Sequence, residues 1–438
     1  MMRRNIHPIR RAAIGLTALA ALVAGTGAVA PSRSAAATGT NKVGIVCTTS
    51  TAGTPSFDLS TTFGYINLPD GNTAYMLGYT VTGQPFQHPS PVLCVNQGDT
   101  VTVTLHNTLN RPTSIMFPGQ ENVLAGGVPA QPELTGTTVS SLTSSVAPGT
   151  TTAPTTISYS FVASNPGTYL YESGTDPETQ VRVGLFGALI VHPTLGAGYA
   201  YNRTDSKFTS GEEFLVLLSE IDPYLSQAVE TGGTFNFATY HPRYWLVNGR
   251  GFPDSIADNF ASFLPNQPYG ALARIHEYDA TTHPDPGLAR YLNVGTEDYP
   301  FHPHGNNGSI IGRDGHALEG PGGEDLSLEK FSLNIGPGQA WDVLFKWRDA
   351  EQYKAGTNAV PVTVPEVASQ EFGMFYSGSP YLGVSGTRPP GTSTLNQCGE
   401  YYIIAHNHAL YQITSWGVNM TGPITYMRID PPTPNNCG

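Results

Sequence analysis

Residues 91–107 read PVLCVNQGDTVTVTLHN, and the second half alternates Val101, Val103 and Leu105 with threonines. Successive side chains on a strand point to opposite faces. A period of two therefore predicts a strand with one apolar face toward a core and one hydroxyl-bearing face toward water. The Asn-Gln-Gly-Asp run at 96–99 supplies turn chemistry between two apolar runs and predicts a hairpin. Similar segments flank it: VGIVCTT and TAYMLGYTV before, ISYSFVA, GTYLYESG and GLFGALIVHP after.

The composition agrees with that reading. Among 438 residues there are 49 Gly and 36 Pro, and only 12% are charged. Short apolar runs between Gly, Pro, Asn and Asp, with few long helical periodicities, predict an all-β chain of Greek-key β-sandwiches. The length exceeds one ordinary core and predicts two domains in tandem. The formal net charge is -12 with 21 Lys+Arg, and no basic cluster follows the N-terminal segment, which argues against nucleic acid or an anionic membrane as partner.

Residues 1–37 carry a basic start (Arg3, Arg4, Arg10, Arg11), an apolar run from Ala12 to Ala30 and small residues suited to cleavage, the pattern of a secretory signal peptide. Arg10-Arg11 also suits twin-arginine export, though an ordinary export signal fits the rest better. No other stretch is long and apolar enough to span a bilayer. The expected location is secreted, extracellular or cell-envelope, an oxidising setting in which four cysteines suggest two disulfide bonds. Cys47 with Cys94 and Cys398 with Cys437 is the preferred pairing, one of three connectivities that four cysteines allow.

The expected organisation is a first domain at 38–195, a polar linker at 196–211 and a second domain at 212–438. Between Trp347 and Cys398 a Pro/Gly/Ser/Thr-rich insertion, about 349–397, is long for a connection within one domain and is expected to cover or remodel a site.

Two His-x-His pairs stand out: His302 and His304 in YPFHPHG (299–305), and His406 and His408 in AHNHALYQ (405–412). On a strand, residues i and i+2 share a face, so two such strands can bring four imidazoles together. That is a metal-site pattern; a relic whose imidazoles hydrogen-bond to one another is the competing reading.

Taken together, GDTVTVTLHN, GTYLYESG, GLFGALIVHP, YWLVNGRGFPD, YPFHPHG, IGPGQAWDVLF and AHNHA resemble, in order and spacing, the multicopper oxidases, which are built from cupredoxin β-sandwiches. The resemblance implies a trinuclear copper cluster held by four His-x-His pairs, two in the first domain and two in the last. Here the first-domain pairs are replaced, by Met116 and Pro118 in TSIMFPGQ and by Glu172 and Gly174 in GTYLYESG. The last-domain pairs survive as His302, His304, His406 and His408. The family's electron-entry copper takes two histidines and a cysteine thiolate. Tyr299, Asn407 and Gln412 stand in those places. The resemblance thus implies degenerate copper sites without type 1 copper.

The expected metal ligands are His302, His304, His406 and His408, with Glu172 as an added carboxylate whose plain reading is a glutamate at a strand end. One or two copper ions suit the imidazole donors, and zinc is the second candidate. Met116 fits core packing better than a thioether ligand. His241, His276, His283 and His316 receive no role. The triplets at Asn202, Asn307 and Asn419 match glycosylation acceptors, a pattern short enough to arise by chance. No phosphate-cradling loop, His-Glu-x-x-His helix or nucleophile elbow competes. The function expected is copper binding with oxidoreductase activity at a four-histidine site on an unidentified small molecule. The alternative is a non-catalytic extracellular binding or structural protein. Two-domain members of the family commonly form trimers, so a homo-oligomer is compatible with the sequence, which does not decide it.

Overall fold

The computed structural model describes residues 42–347 and 401–430. Within them the chain is all-β. Its early strands are β1 (Cys47–Thr48), β2 (Ser56–Asn67), β3 (Thr73–Val81), β4 (Val92–Asn96), β5 (Thr100–Asn107), β6 (Thr155–Val162), β7 (Gly167–Glu172) and β8 (Phe186–His192). They build a four-stranded sheet in the order β1-β4-β8-β7 and a larger one in which β3-β2-β5-β6 is extended by two short strands.

The later strands are β9 (Glu213–Ile221), β10 (Tyr244–Val247), β11 (Ala273–His276), β12 (Gly287–Asn293), β13 (Tyr299–Pro303), β14 (Gly308–Arg313), β15 (Leu333–Ile335), β16 (Ala340–Phe345), β17 (Tyr401–Asn407) and β18 (Ile424–Asp430). One sheet runs β14-β16-β12-β9-β10 with short strands at its margins, and the other runs β11-β18-β17-β13-β15. A nine-residue helix, Pro223–Thr231, follows β9; the Asp222 side chain accepts from the Tyr224 N–H and Gly232 closes the helix at φ 68.

The alternation in TVTVTLHN does what period two predicts: Val101, Val103 and Leu105 are buried between the first two sheets against Leu93, Leu189 and Val191. The hairpin expected at 96–99 is corrected. β4 pairs with β1 and β8, whereas β5 pairs with β2 and β6, so the turn is a corner that carries the chain from one sheet to the other. Asp99 holds the corner by accepting from the N–H groups of Asn96 (2.8 Å) and Gly53 (2.7 Å), and the Gly98 N–H donates to Ala163 O. Turn chemistry specifies a reversal; it does not say which sheet receives the next strand.

The continuous apolar run GLFGALIVHP has a matching cause. Leu189 and Val191 face the first core, while Ala188 and Ile190 pack outward with Val92 and Cys94 against Leu215, Leu217 and Leu292 of β9 and β12. A strand buried on both faces reads apolar throughout. The second core joins Phe214, Val216, Tyr291 and Val343 to Tyr299, Phe301, Ile403 and Ile429.

Segment 196–211, polar in sequence, is packed: Tyr201 and Phe208 are buried with Leu288 and Leu344. Cys47 and Cys94 form a disulfide with a Cα–Cα distance of 5.5 Å. Closing a loop with sequence separation 47 contributes about 4 kcal/mol by restricting the unfolded chain. Cys398, Cys437, the signal segment and the insertion at 349–397 lie outside the described residues.

Candidate metal centre

β13 and β17 lie antiparallel and adjacent, with His302 directly opposite His406. Alternation along β13 sends Tyr299, Phe301 and Pro303 into the core and leaves His302 on the other face, where His304 follows it. Phe301 is fully buried, whereas His302, His304 and His406 are half-buried and His408 is exposed. The four rings gather. Ring centroids are 4.7 Å apart for His302 and His304, 5.1 Å for His304 and His406, 5.3 Å for His302 and His408, and 5.5 Å for His406 and His408.

Backbone carbonyls orient two of the rings. Nδ1 of His302 lies 2.6 Å from Phe331 O and Nδ1 of His406 lies 2.8 Å from Asn407 O. A carbonyl only accepts, so each Nδ1 carries the proton and each Nε2 is left as a lone pair, the arrangement that outer-shell partners impose on ligating histidines. Nε2 of His406 is 3.0 Å from Nε2 of His304. Two nitrogens about 2.0–2.1 Å from one metal are separated by about 2.9 Å at a right angle and about 3.4 Å at a tetrahedral one. That pair is thus spaced as two ligands of one ion would be. Burial, reinforced by the neighbouring rings, holds His304 and His406 below the ordinary histidine pKa, although the Asn407 carbonyl works the other way on His406. The rings therefore favour the neutral, ligating form. The cleft beside His302, His304, Asn306 and Phe331 measures about 480 Å³, room enough to admit an ion.

The residues behind this face form a second arrangement. Tyr299, Asn407 and Gln412 are fully buried. Tyr299 donates its hydroxyl to Glu220 Oε2 at 2.7 Å, and Glu220 also accepts from the Thr296 hydroxyl at 2.7 Å. The Asn407 amide donates to Gln412 Oε1, and Gln412 Nε2 donates to Glu297 Oε2 at 2.6 Å, which also receives Trp245 Nε1 at 2.9 Å. Hydrogen bonds among organic side chains fill the place where the resemblance put an electron-entry copper.

Comparison with known proteins bears on this geometry. A family model described as multicopper oxidase matches residues 72–195. The L-ascorbate oxidase of Cucurbita maxima is 30% identical over 199 residues, 45% of this chain and 30% of that enzyme. Residues 72–195 are thus similar to a multicopper oxidase domain. Among solved structures, the multicopper oxidase mgLAC shares the fold at TM-score 0.54 and 17% identity, covering 86% of each chain. The blue copper oxidase of Nitrosomonas europaea does so at TM-score 0.54 and 17% identity, over 86% of this chain and 85% of that one. The chain spans less than a third of the length of the ascorbate oxidase it matches.

The replaced first-domain positions also meet. Met116 and Glu172 form a backbone bridge, the Met116 N–H donating to Glu172 O at 2.7 Å. Burial pushes the Glu172 carboxyl up from 4.5 to about 7. Where an assisting ligand is expected of Glu172, the effect resolved at its carboxyl is burial. Its carboxyl responds to burial, and the charges acting on His304 and His406 come from the other histidine rings. Because its folded pKa is raised, Glu172 favours the fold below about pH 4.5, and that contribution is lost as pH rises toward 7. Glu172→Gln, which cannot ionise, is expected to be more stable than the parent at pH 8 by on the order of 2–3 kcal/mol and equal to it near pH 4. Melting curves at the two pH values check this; parallel pH dependence in both proteins would contradict it.

A cluster that sequence reasoning passed over lies elsewhere. Glu212, just before β9, His276, at the end of β11, and His283, in the following loop, offer ligand atoms within 4.8 Å of one another. Burial alone would push the Glu212 carboxyl up, but hydrogen bonds and charge from His276 and His283 bring it below its ordinary value. No short spacing announces this group, because Glu212 and His276 are 64 positions apart.

Proposed function

We propose that this chain is an exported copper-binding member of the multicopper oxidase superfamily that holds one copper ion, or at most two, on His302, His304, His406 and His408 and lacks type 1 copper. The observation that carries the proposal is the pair of Nε2 atoms 3.0 Å apart on facing strands, with the outward Nδ1 of His406 fixed by a carbonyl. Imidazole donors suit copper, and zinc second; bound copper would supply one-electron redox chemistry. The chain's own residues supply four rings on one face, an open approach past Asn306 and Phe331, and burial that favours the neutral form of His304 and His406. Neither Asn407 nor Gln412 can supply a thiolate, so copper held by the four histidines would itself have to supply the redox chemistry toward a small ligand.

The second reading, a β-sandwich binding protein without metal, is favoured by the same contact: one proton between His304 and His406 satisfies both Nε2 atoms. Copper(II) loading separates the readings of the electron-entry position. The expected product is a weakly coloured protein with an electron paramagnetic resonance signal coupled to imidazole nitrogens. An intense blue band would mean that a thiolate is a ligand and would overturn the assignment of Asn407.

A further inference from the structure

Glu212, His276 and His283 surround one point. Glu212 Oε1 is 2.6 Å from His276 Nδ1 and 3.3 Å from His283 Nε2, and the two imidazole centroids are 4.9 Å apart. The Glu212 side chain is only 5% exposed, and its second oxygen, Oε2, is buried without a hydrogen-bond partner. A buried carboxylate oxygen left unpaired carries its full desolvation penalty, so its retention calls for an unseen partner. All three residues line a cleft of about 550 Å³, together with Thr209, Lys42 and Arg274. The two cations of that lining are engaged elsewhere, Arg274 with Asp430 at 2.5 Å and Lys42 with Asp258 at 3.5 Å, so neither neutralises Glu212.

We infer that Glu212, His276 and His283 form a second metal site, separate from the four-histidine cluster, that takes a divalent transition ion such as zinc with a coordination position open to the cleft. Two imidazoles and a carboxylate are the donor set of open zinc sites, in which the fourth ligand is water or a small molecule. The scaffold suits the task. Glu212 is fixed where β9 begins, its Oε1 also accepting from the His276 N–H at 3.2 Å, and the Thr209 hydroxyl, which donates to Asp285 O at 3.0 Å, lies 3.1 Å from His283 Nε2. The inference uses none of the residues assigned to copper above.

The test uses the full-length chain carrying His304→Ala and His406→Ala, so that the first cluster cannot account for the result. Zinc is titrated in competition with a chromophoric chelator. About one zinc ion per chain is expected. Removing even an outer-shell partner weakens metal sites by about 10–100-fold, so adding His283→Ala is expected to weaken zinc binding by at least about 100-fold. His276→Gln, which keeps a donor for Glu212 and so preserves the local fold, is expected to do the same. Undiminished zinc binding in either variant, or no zinc in the starting chain, would overturn the inference. Circular dichroism shows that each protein titrated is folded.

Discussion

Replacing His304 and His406 together with alanine is expected to weaken copper binding by on the order of 100-fold or more, because it removes the two nitrogens spaced as ligands of one ion. The measurement is a copper competition titration in a His283→Ala background, which excludes the other histidine cluster. The fold should survive. Both side chains lie on the outward face of their strands, half-buried, while the inward neighbours Phe301, Pro303, Ala405 and Asn407 that make the core are untouched. A double variant that binds copper as tightly as its parent would show that the metal sits elsewhere.

The second large effect concerns stability where the two pairs of sheets meet. Arg290 is fully buried on β12. Its Nε donates to Glu213 Oε1 at 2.5 Å, and its Nη1 donates to Thr168 Oγ1 at 3.0 Å and lies 3.3 Å from Asp342 Oδ1. Asp342 in turn accepts from the Thr168 and Tyr201 hydroxyls, each at 2.5 Å. Burial works against the guanidinium charge, but Glu213 and Asp342 outweigh it and the pKa is raised. Arg290→Ala would leave two carboxylates without their counter-charge, one of them, on Asp342, almost wholly buried. Loss of one partner of a buried ion pair costs about 3–5 kcal/mol. Urea unfolding should show the midpoint of the transition falling accordingly; a change below about 1 kcal/mol would mean that the network is relaxed by water or by rearrangement.

The interface has a second fixed point that sequence could not reveal. Gly315, at φ 75, lies where an added Cβ would fall 2.2 Å from the Tyr169 ring, whose hydroxyl donates to the Gly315 carbonyl at 3.2 Å. In sequence Gly315 is one of many glycines in turn-rich segments. Its role depends on a tyrosine from a distant strand, a relation that local pattern does not carry.

What was legible follows the same division. Period two in TVTVTLHN is a local signal and corresponds to a strand with the expected faces; GLFGALIVHP contains a strand, and the two His-x-His pairs straddle the ends of two paired strands. The pairing of Cys47 with Cys94 was one choice among three, and the structure shows it. The hairpin at 96–99 failed because sheet membership is decided by long-range packing: Val101, Val103 and Leu105 are buried across from Leu93 and Val95, on the opposite sheet. Glu172 was placed beside the histidines by analogy with a ligand set. The structure gives its backbone bridge to Met116 and the burial of its carboxyl. The Glu212, His276 and His283 group could not be read at all, since its members come from one strand end and two loop positions with no shared periodicity.

The central claim is that the four histidines hold copper, and metal analysis tests it most directly. The full-length chain carrying His283→Ala is reconstituted with copper, freed of loosely held ion by dialysis and analysed for metal. About one copper per chain is predicted for a site of converging imidazoles, and less than about a tenth of an equivalent would contradict it.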